Sequence, residues 1–248
     1  MDRECAFCPN TADFSGEHIW SDWLNKVLPR TKGFRFAIMN DKREVVRTWV
    51  GPKLNWETNV VCRTCNSTWM SDIENHHAKP AMRDLILDKR GTRIGQSRAR
   101  SIALFAFKTA VIFDHLARKR PHFFERSARH EFRSSLTVPD NVAMWLTRYG
   151  PSGRGEANTA YHEGSPGSER TIEMYVCTYS VHSLVIQVLS HKVIGFRAFT
   201  PENLFSAIPF WPKLAPERGI VWPPSASLDS LTDFNAFSDR WQKGTATY

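Results

Sequence analysis

Two Cys-x-x-Cys pairs, Cys5-Ala6-Phe7-Cys8 and Cys62-Arg63-Thr64-Cys65, are the residues whose type and spacing speak most directly of chemistry. Thiolates with two residues between them reach the same metal ion, and two such pairs complete the tetrahedral set that zinc prefers. Four thiolates leave no open coordination position. The expected ion is therefore a structural Zn²⁺ on Cys5, Cys8, Cys62 and Cys65, contributing folding energy to a segment too short to pack a large core. Between the pairs stands Glu17-His18, with Asn59 just ahead of the second pair and Asn66 directly behind it. Taken alone, Glu17-His18 reads as a polar turn before a helix, with the acid near the helix start. The fifth cysteine, Cys177, lies in an apolar strand, where a buried thiol is the expectation.

A metal rather than disulfides requires reduced thiols. The N-terminus has neither an apolar signal segment nor an amphipathic Arg-rich presequence, and no apolar run is long enough to span a bilayer, so a cytoplasmic, membrane-free protein is expected. With 248 residues, 42% hydrophobic and 12% aromatic, the chain is long and apolar enough for one or two globular domains. A net charge of +8 makes an anionic partner plausible without requiring one.

The elements that must position these residues follow from hydrophobic period and punctuation. Residues 5–16 read as a knuckle and tight loop, and residues 18–28 as a helix stopped by Pro29. Residues 34–39 and 44–50 read as strands around a polar turn, and residues 54–61 as an extended segment delivering Cys62. A helix is expected over 66–78, and another starts at Pro80. The apolar run 102–113, interrupted only by Lys108, belongs to a helix over 101–118. A shorter one turns Phe123, Phe124, Ala128 and Phe132 inward. Strands are expected at 142–149, 171–180, 184–189 and 193–199, with a long loop over 150–169. A Trp/Pro-rich loop and a last helix over 228–243 close the chain. The fold class is thus α+β, with a small metal-stapled module over 1–90 and an α+β part with an antiparallel sheet over 91–248.

The order Cys-x-x-Cys, Glu17-His18, Asn59, Cys-x-x-Cys, Asn66 resembles the HNH endonucleases of the ββα-metal, or His-Me finger, superfamily over residues 5–79. That resemblance implies a zinc-stapled ββα-metal (treble-clef-like) module that cuts or nicks DNA. In it His18 ends a first strand and is the general base that deprotonates water. Glu17 and Asn66 bind Mg²⁺ or Mn²⁺, and Asn59 holds the loop that carries His18. A neutral imidazole near its ordinary pKa suits the base, and a hard cation on oxygen ligands suits the charge building on phosphate. Glu17 stands where Asp is commoner and Asn66 where His is. Met70, one turn on, cannot serve a hard ion, which leaves a thin shell of protein ligands. The alternative is a zinc-knuckle module that binds nucleic acid without turnover; a third reading makes residues 1–90 a structural cap.

His77 falls near the Asn66 face but roughly 16 Å along a helix, too far to share an ion, so a surface or interhelix role is expected for His76 and His77. Asp72 is expected in solvent. Arg90, Arg93, Arg98, Arg100, Arg118, Lys119 and Arg120 form a basic strip that suits phosphate contacts or a solvated helix face equally. Trp20, Trp23, Trp69, Phe105, Phe107 and Phe113 are expected in the core. Residues 91–248 carry no cofactor fingerprint; selecting DNA, sensing a ligand and forming a homodimer all remain open to them.

Overall fold

A computed structural model describes residues 4–28, 34–39, 45–54, 56–116, 121–151, 156–164, 172–192, 207–212 and 219–241. The chain is mixed α+β. In its N-terminal part β1 (Phe14–His18) pairs antiparallel with β4 (Glu57–Cys62), and the register slips by a bulge between Ser15 and Glu17. Between them lie the short helix α1 (Trp23–Val27) and a separate ribbon of β2 (Phe34–Met39) and β3 (Val45–Gly51). Directly after β4 a long helical run begins. α2 (Arg63–Cys65) passes through π-helical turns at Asn66–Met70 and Ile73–Ala78 into α3 (Lys79–Ile86). Thr68, at φ −107° and ψ −106°, kinks the first of those turns.

β5 (Thr92–Ile94) leads into the long helix α4 (Gln96–Leu116), then α5 (Arg126–Ser135). β6 (Val142–Tyr149), β7 (Ala157–Gly164), β8 (Ile172–Val181), β9 (Leu184–His191), β10 (Ile208–Trp211), β11 (Ile220–Trp222), β12 (Ser227–Leu228) and α6 (Leu231–Ser238) follow. The main sheet runs β10-β6-β9-β8-β7, antiparallel throughout, with β12 added parallel to β6; β5 pairs with β11. The antiparallel sheet expected from the alternating pattern is therefore present.

Strand alternation divides the main sheet into two buried faces. Met144, Leu146, Tyr175, Cys177, Tyr179, Ile186 and Val188 join one core cluster with α4 and the knuckle cysteines. Trp145, Tyr149, Val176, Val185 and Leu189 point the other way and pack with Phe234 and Phe237 of α6. α6 is started by Ser230, whose side chain accepts from the Asp233 N–H. The first cluster runs without a break from Cys5 to Trp222, so the N-terminal elements and α4 share one core. Trp20 adds a direct tie, its indole N–H donating to the Ser180 carbonyl at 3.3 Å.

Several sequence expectations are corrected. Residues 14–18 form a strand rather than loop and helix start, because pairing with β4 satisfies their backbone; the helix shrinks to Trp23–Val27. The loop expected over 150–169 contains β7, captured by eight paired positions against β8. The Trp/Pro-rich stretch contains β10, β11 and β12, and the last helix is limited to Leu231–Ser238. Helix α4 starts at Gln96, earlier than the apolar run suggests. The strand expected at 193–199, and Arg118, Lys119 and Arg120 of the basic strip, lie outside the described residues.

Phe132 shows how tightly the knuckle is built into the core. It is fully buried, and its ring meets Phe7 at 6.3 Å, Trp69 at 5.8 Å and Phe107 at 4.8 Å. Phe7 lies inside the first Cys-x-x-Cys. Phe132→Ala is expected to cost about 3–5 kcal/mol, read as a shift of the urea midpoint without loss of cooperativity.

Candidate functional site

The four knuckle cysteines come from three elements. Cys5 and Cys8 sit in the loop before β1, Cys62 ends β4, and Cys65 closes α2. The loop is held by Cys5 N–H to the Asn10 carbonyl and Ala6 N–H to the Val60 carbonyl, both at 2.8 Å. All four residues are buried, and their sulfurs lie within 4.8 Å of one another. Cys8 Sγ is 3.6 Å from both Cys62 Sγ and Cys65 Sγ. A tetrahedral zinc with bonds of about 2.3 Å requires sulfurs about 3.8 Å apart, so the donor set fits such an ion. The Cys62 N–H donates to Cys5 Sγ at 3.2 Å, which supports a thiolate there. Cys5 is pulled down to about 4, chiefly by a hydrogen bond from the Cys65 thiol, while burial pushes Cys8 up. The cluster is thus able to hold a metal ion such as zinc.

Arg129 of α5 clasps the same knuckle from outside. Its guanidinium is buried and donates to the carbonyls of Ala6 and Phe124 and to His115 Nε2. A second group of ligand-type residues, Asp114, His115 and His122, converges there. His115 Nδ1 meets the Val111 carbonyl at 2.9 Å and Nε2 takes the Arg129 bond, so both ring nitrogens are engaged. Burial, His122 and Arg129 together hold its pKa down to about 3. His115 thus braces the knuckle through Arg129, with both its ring nitrogens engaged.

The other residues singled out in the sequence divide about strand β1. Adjacent strand residues face opposite ways, and the structure sends His18 outward and Glu17 inward. His18 ends β1, and its Nε2 lies 3.0 Å from Glu57 Oε1, the residue opposite in the register. Asn66, where the helical run leaves α2, donates its amide to the Gly16 carbonyl at 2.9 Å and to Ser15 Oγ at 3.1 Å. Asn59, exposed on β4, brings its Oδ1 to 4.0 Å from where a Cβ at Gly16 would stand. His18, Glu57, Asn59 and Asn66 therefore gather around residues 15–18. The side chain that ties down the β1 backbone is that of Asn66; Asn59, expected to hold the His18 loop, stands beside it at the surface.

Glu17 does not join them. It is 3% exposed, and its Oε1 accepts from Lys108 Nζ at 2.8 Å. Lys108, itself 1% exposed on α4, also bonds Glu74 Oε1 at 2.5 Å. An ammonium so deeply buried needs such partners. Desolvation pushes the Glu17 pKa up and Lys108 pulls it back. Burial likewise opposes the Lys108 charge, but the two carboxylates win, and its pKa is raised. The cation shell implied for Glu17 and Asn66 thus does not fit this arrangement, because Lys108 already neutralises Glu17 inside the core.

Sequence reasoning missed Glu57, Glu74 and the role of Lys108. The signal was available for Lys108: a lone charge in a long apolar run demands carboxylates from whatever packs on it. Glu57 becomes visible only once the register of β1 and β4 is known. Other expectations compare as follows: Trp69 is only half-buried, and Phe123 and Phe124 are buried but precede α5. Met70 and Cys177 are fully buried, Asp72 is exposed and bonds His76 Nδ1 at 2.6 Å, and His77 reaches Ser101 Oγ on α4 at 3.5 Å. Trp20, Trp23, Phe105, Phe107 and Phe113 lie in the core. Arg90, Arg93 and Arg100 are exposed, whereas Arg98 is drawn to the Arg93 carbonyl and to Asp84.

Among the described residues no helix is long and apolar enough to cross a membrane. No protein-family model, curated protein or solved structure matches the chain.

Proposed function

We propose that residues 1–90 are an HNH-type, His-Me finger module that hydrolyses phosphodiester bonds in nucleic acid, DNA being the substrate the resemblance implies, with His18 as the general base. One observation carries the reading. A β1–β4 pair followed at once by a helix gathers His18, Asn59 and Asn66 about residues 15–18 of β1, and β4 ends on Cys62 of the four-thiol cluster. An imidazole at the rim, with a side-chain exposure of 32%, is open to water and to a phosphate. The exposed Arg90, Arg93 and Arg100 and the net charge of +8 suit a polyanion.

The divalent cation of the resemblance would supply Lewis-acid stabilisation of the phosphate. Of the residues assigned to it, only Asn66 lies at the rim.

A specific observation favours a second reading, the zinc-knuckle module that binds nucleic acid without turnover. Glu17, the carboxylate meant for the cation, is committed to Lys108. Cleavage of supercoiled plasmid, with and without Mg²⁺ or Mn²⁺, separates the two. Hydrolysis predicts nicking by the wild type that falls at least roughly 100-fold in His18→Ala. DNA binding at low salt, unaffected by either ion and without any cleavage, would replace hydrolysis by the binding reading.

A further inference from the structure

We propose that Glu57 is the positioning residue of His18: its carboxylate holds the Nε2 edge of the imidazole and leaves Nδ1 as the nitrogen that takes a proton from water. The catalytic half of this inference rests on the hydrolytic reading of residues 1–90; the geometric half does not.

The geometry is specific. Glu57 and His18 are register partners at the ends of β4 and β1, and Nε2 stands 3.0 Å from Glu57 Oε1. A carboxylate accepts only, so the proton between them belongs to Nε2, and the lone pair of a neutral ring lies on Nδ1. The neighbouring residue fixes where Glu57 starts. The Trp56 carbonyl accepts from Ile19 N–H at 2.9 Å, and its ring lies between Trp20 at 6.1 Å and Trp49 at 6.3 Å. The other carboxylate oxygen rests over Gly16, where a Cβ would meet Glu57 Oε2 at 2.7 Å. The lack of a side chain at Gly16 thus leaves room for the carboxylate.

An ordinary surface ion pair is a poor explanation for this construction. Side-chain exposures of 32% for His18 and 52% for Glu57 put the pair in high dielectric, where such contacts add about 0–1 kcal/mol to stability. With Nε2 turned to Glu57, Nδ1 is in this proposal the nitrogen that meets solvent. In the reaction, Nδ1 accepts a proton from water as the water oxygen bonds to phosphorus. The bond from phosphorus to the leaving sugar oxygen breaks, and that oxygen is protonated from bulk water. The Glu57 carboxylate holds the ring in place and offsets the imidazolium charge that forms.

The test uses the full chain, with Glu57→Ala, Glu57→Gln and Gly16→Ala beside the wild type. Long-range proton–nitrogen NMR of histidine-labelled protein reads the His18 tautomer directly. The expected wild-type spectrum has the proton on Nε2 and in slow exchange with water. In Glu57→Ala and in Gly16→Ala, which displaces the carboxylate without removing it, that proton should exchange too fast to observe. In plasmid cleavage, kcat should fall roughly 10- to 100-fold in both variants with KM within about twofold, and Glu57→Gln should fall between. A wild-type proton on Nδ1, or an unchanged kcat in Glu57→Ala, overturns the inference. A wild type that does not cleave at all sinks the hydrolytic reading instead, and the spectra still decide whether Glu57 holds the ring.

Discussion

Stripping the metal from Cys5, Cys8, Cys62 and Cys65 is expected to unfold residues 5–86 and to lower the thermal midpoint of the whole chain by roughly 10 °C or more. Structural zinc sites contribute about 10–16 kcal/mol of binding free energy, comparable with or larger than the whole stability of an ordinary domain, about 5–15 kcal/mol. The β1–β4 pair is a two-stranded sheet, too small to stand alone in water. Losing the ion leaves four buried thiols with only weak S–H bonds among them. The damage spreads because Phe7, inside the first knuckle, packs on Trp69 and Phe132, and Arg129 grips the Ala6 carbonyl from α5. The measurement is metal analysis of the purified chain, followed by calorimetry before and after chelation, with Cys62→Ser as the genetic equivalent. About one zinc per chain and a broadened, lowered transition are expected. A chelated, metal-free chain that melts within a degree of the starting protein would refute the staple.

What the sequence made legible follows from how local each constraint is. The knuckles were readable because two ligands per pair are fixed by a spacing of two residues and four of the five cysteines are consumed. The main strands at 142–149, 171–180 and 184–189 were readable because both faces are buried and β-branched and aromatic residues crowd them. The start of β1 was not. Phe14-Ser15-Gly16 is short and polar, and only the hydrogen bonds of a partner strand more than 40 positions away in sequence make it a strand. β7 was lost for the same reason: it lies between the Gly/Ser/Pro-rich stretches 150–155 and 164–168, and only the ladder with β8 identifies it as a strand. At the candidate site, residue types were visible but their directions were not. Glu17 and His18 are adjacent in the chain, so a reading by motif gives them one site. A strand gives them opposite faces, and α4 then supplies a partner to the inward one.

That partner underlies the second large effect. Lys108→Met is expected to destabilise the chain by about 3–5 kcal/mol near neutral pH, because it removes the cation from between Glu17 and Glu74 and leaves a carboxylate buried without compensation. The sign of the pH dependence distinguishes this from simple loss of packing. Burial already raises the Glu17 pKa above its unfolded value, and Lys108 is the largest influence holding it down. Without Lys108 that pKa rises further, so the native variant keeps a proton that the unfolded chain releases. Stability of Lys108→Met is therefore greatest below the ordinary carboxylate range and is lost as pH rises through the folded pKa. In the wild type, the raised Lys108 pKa keeps the ammonium's contribution intact up to the ordinary lysine range, to be lost only above it. The gap between the two proteins should accordingly be wider at about pH 8 than at about pH 5, read from denaturant midpoints at each pH. Adding Glu17→Gln to Lys108→Met should recover more than half of the deficit, since the neutral amide carries no charge to desolvate. A deficit that is independent of pH and untouched by the second substitution would mean that Lys108 acts through its methylenes and the charges play no part. If instead the predicted pattern is found, Glu17 is spoken for by the core, and any cation at the His18 rim must be held by groups other than Glu17.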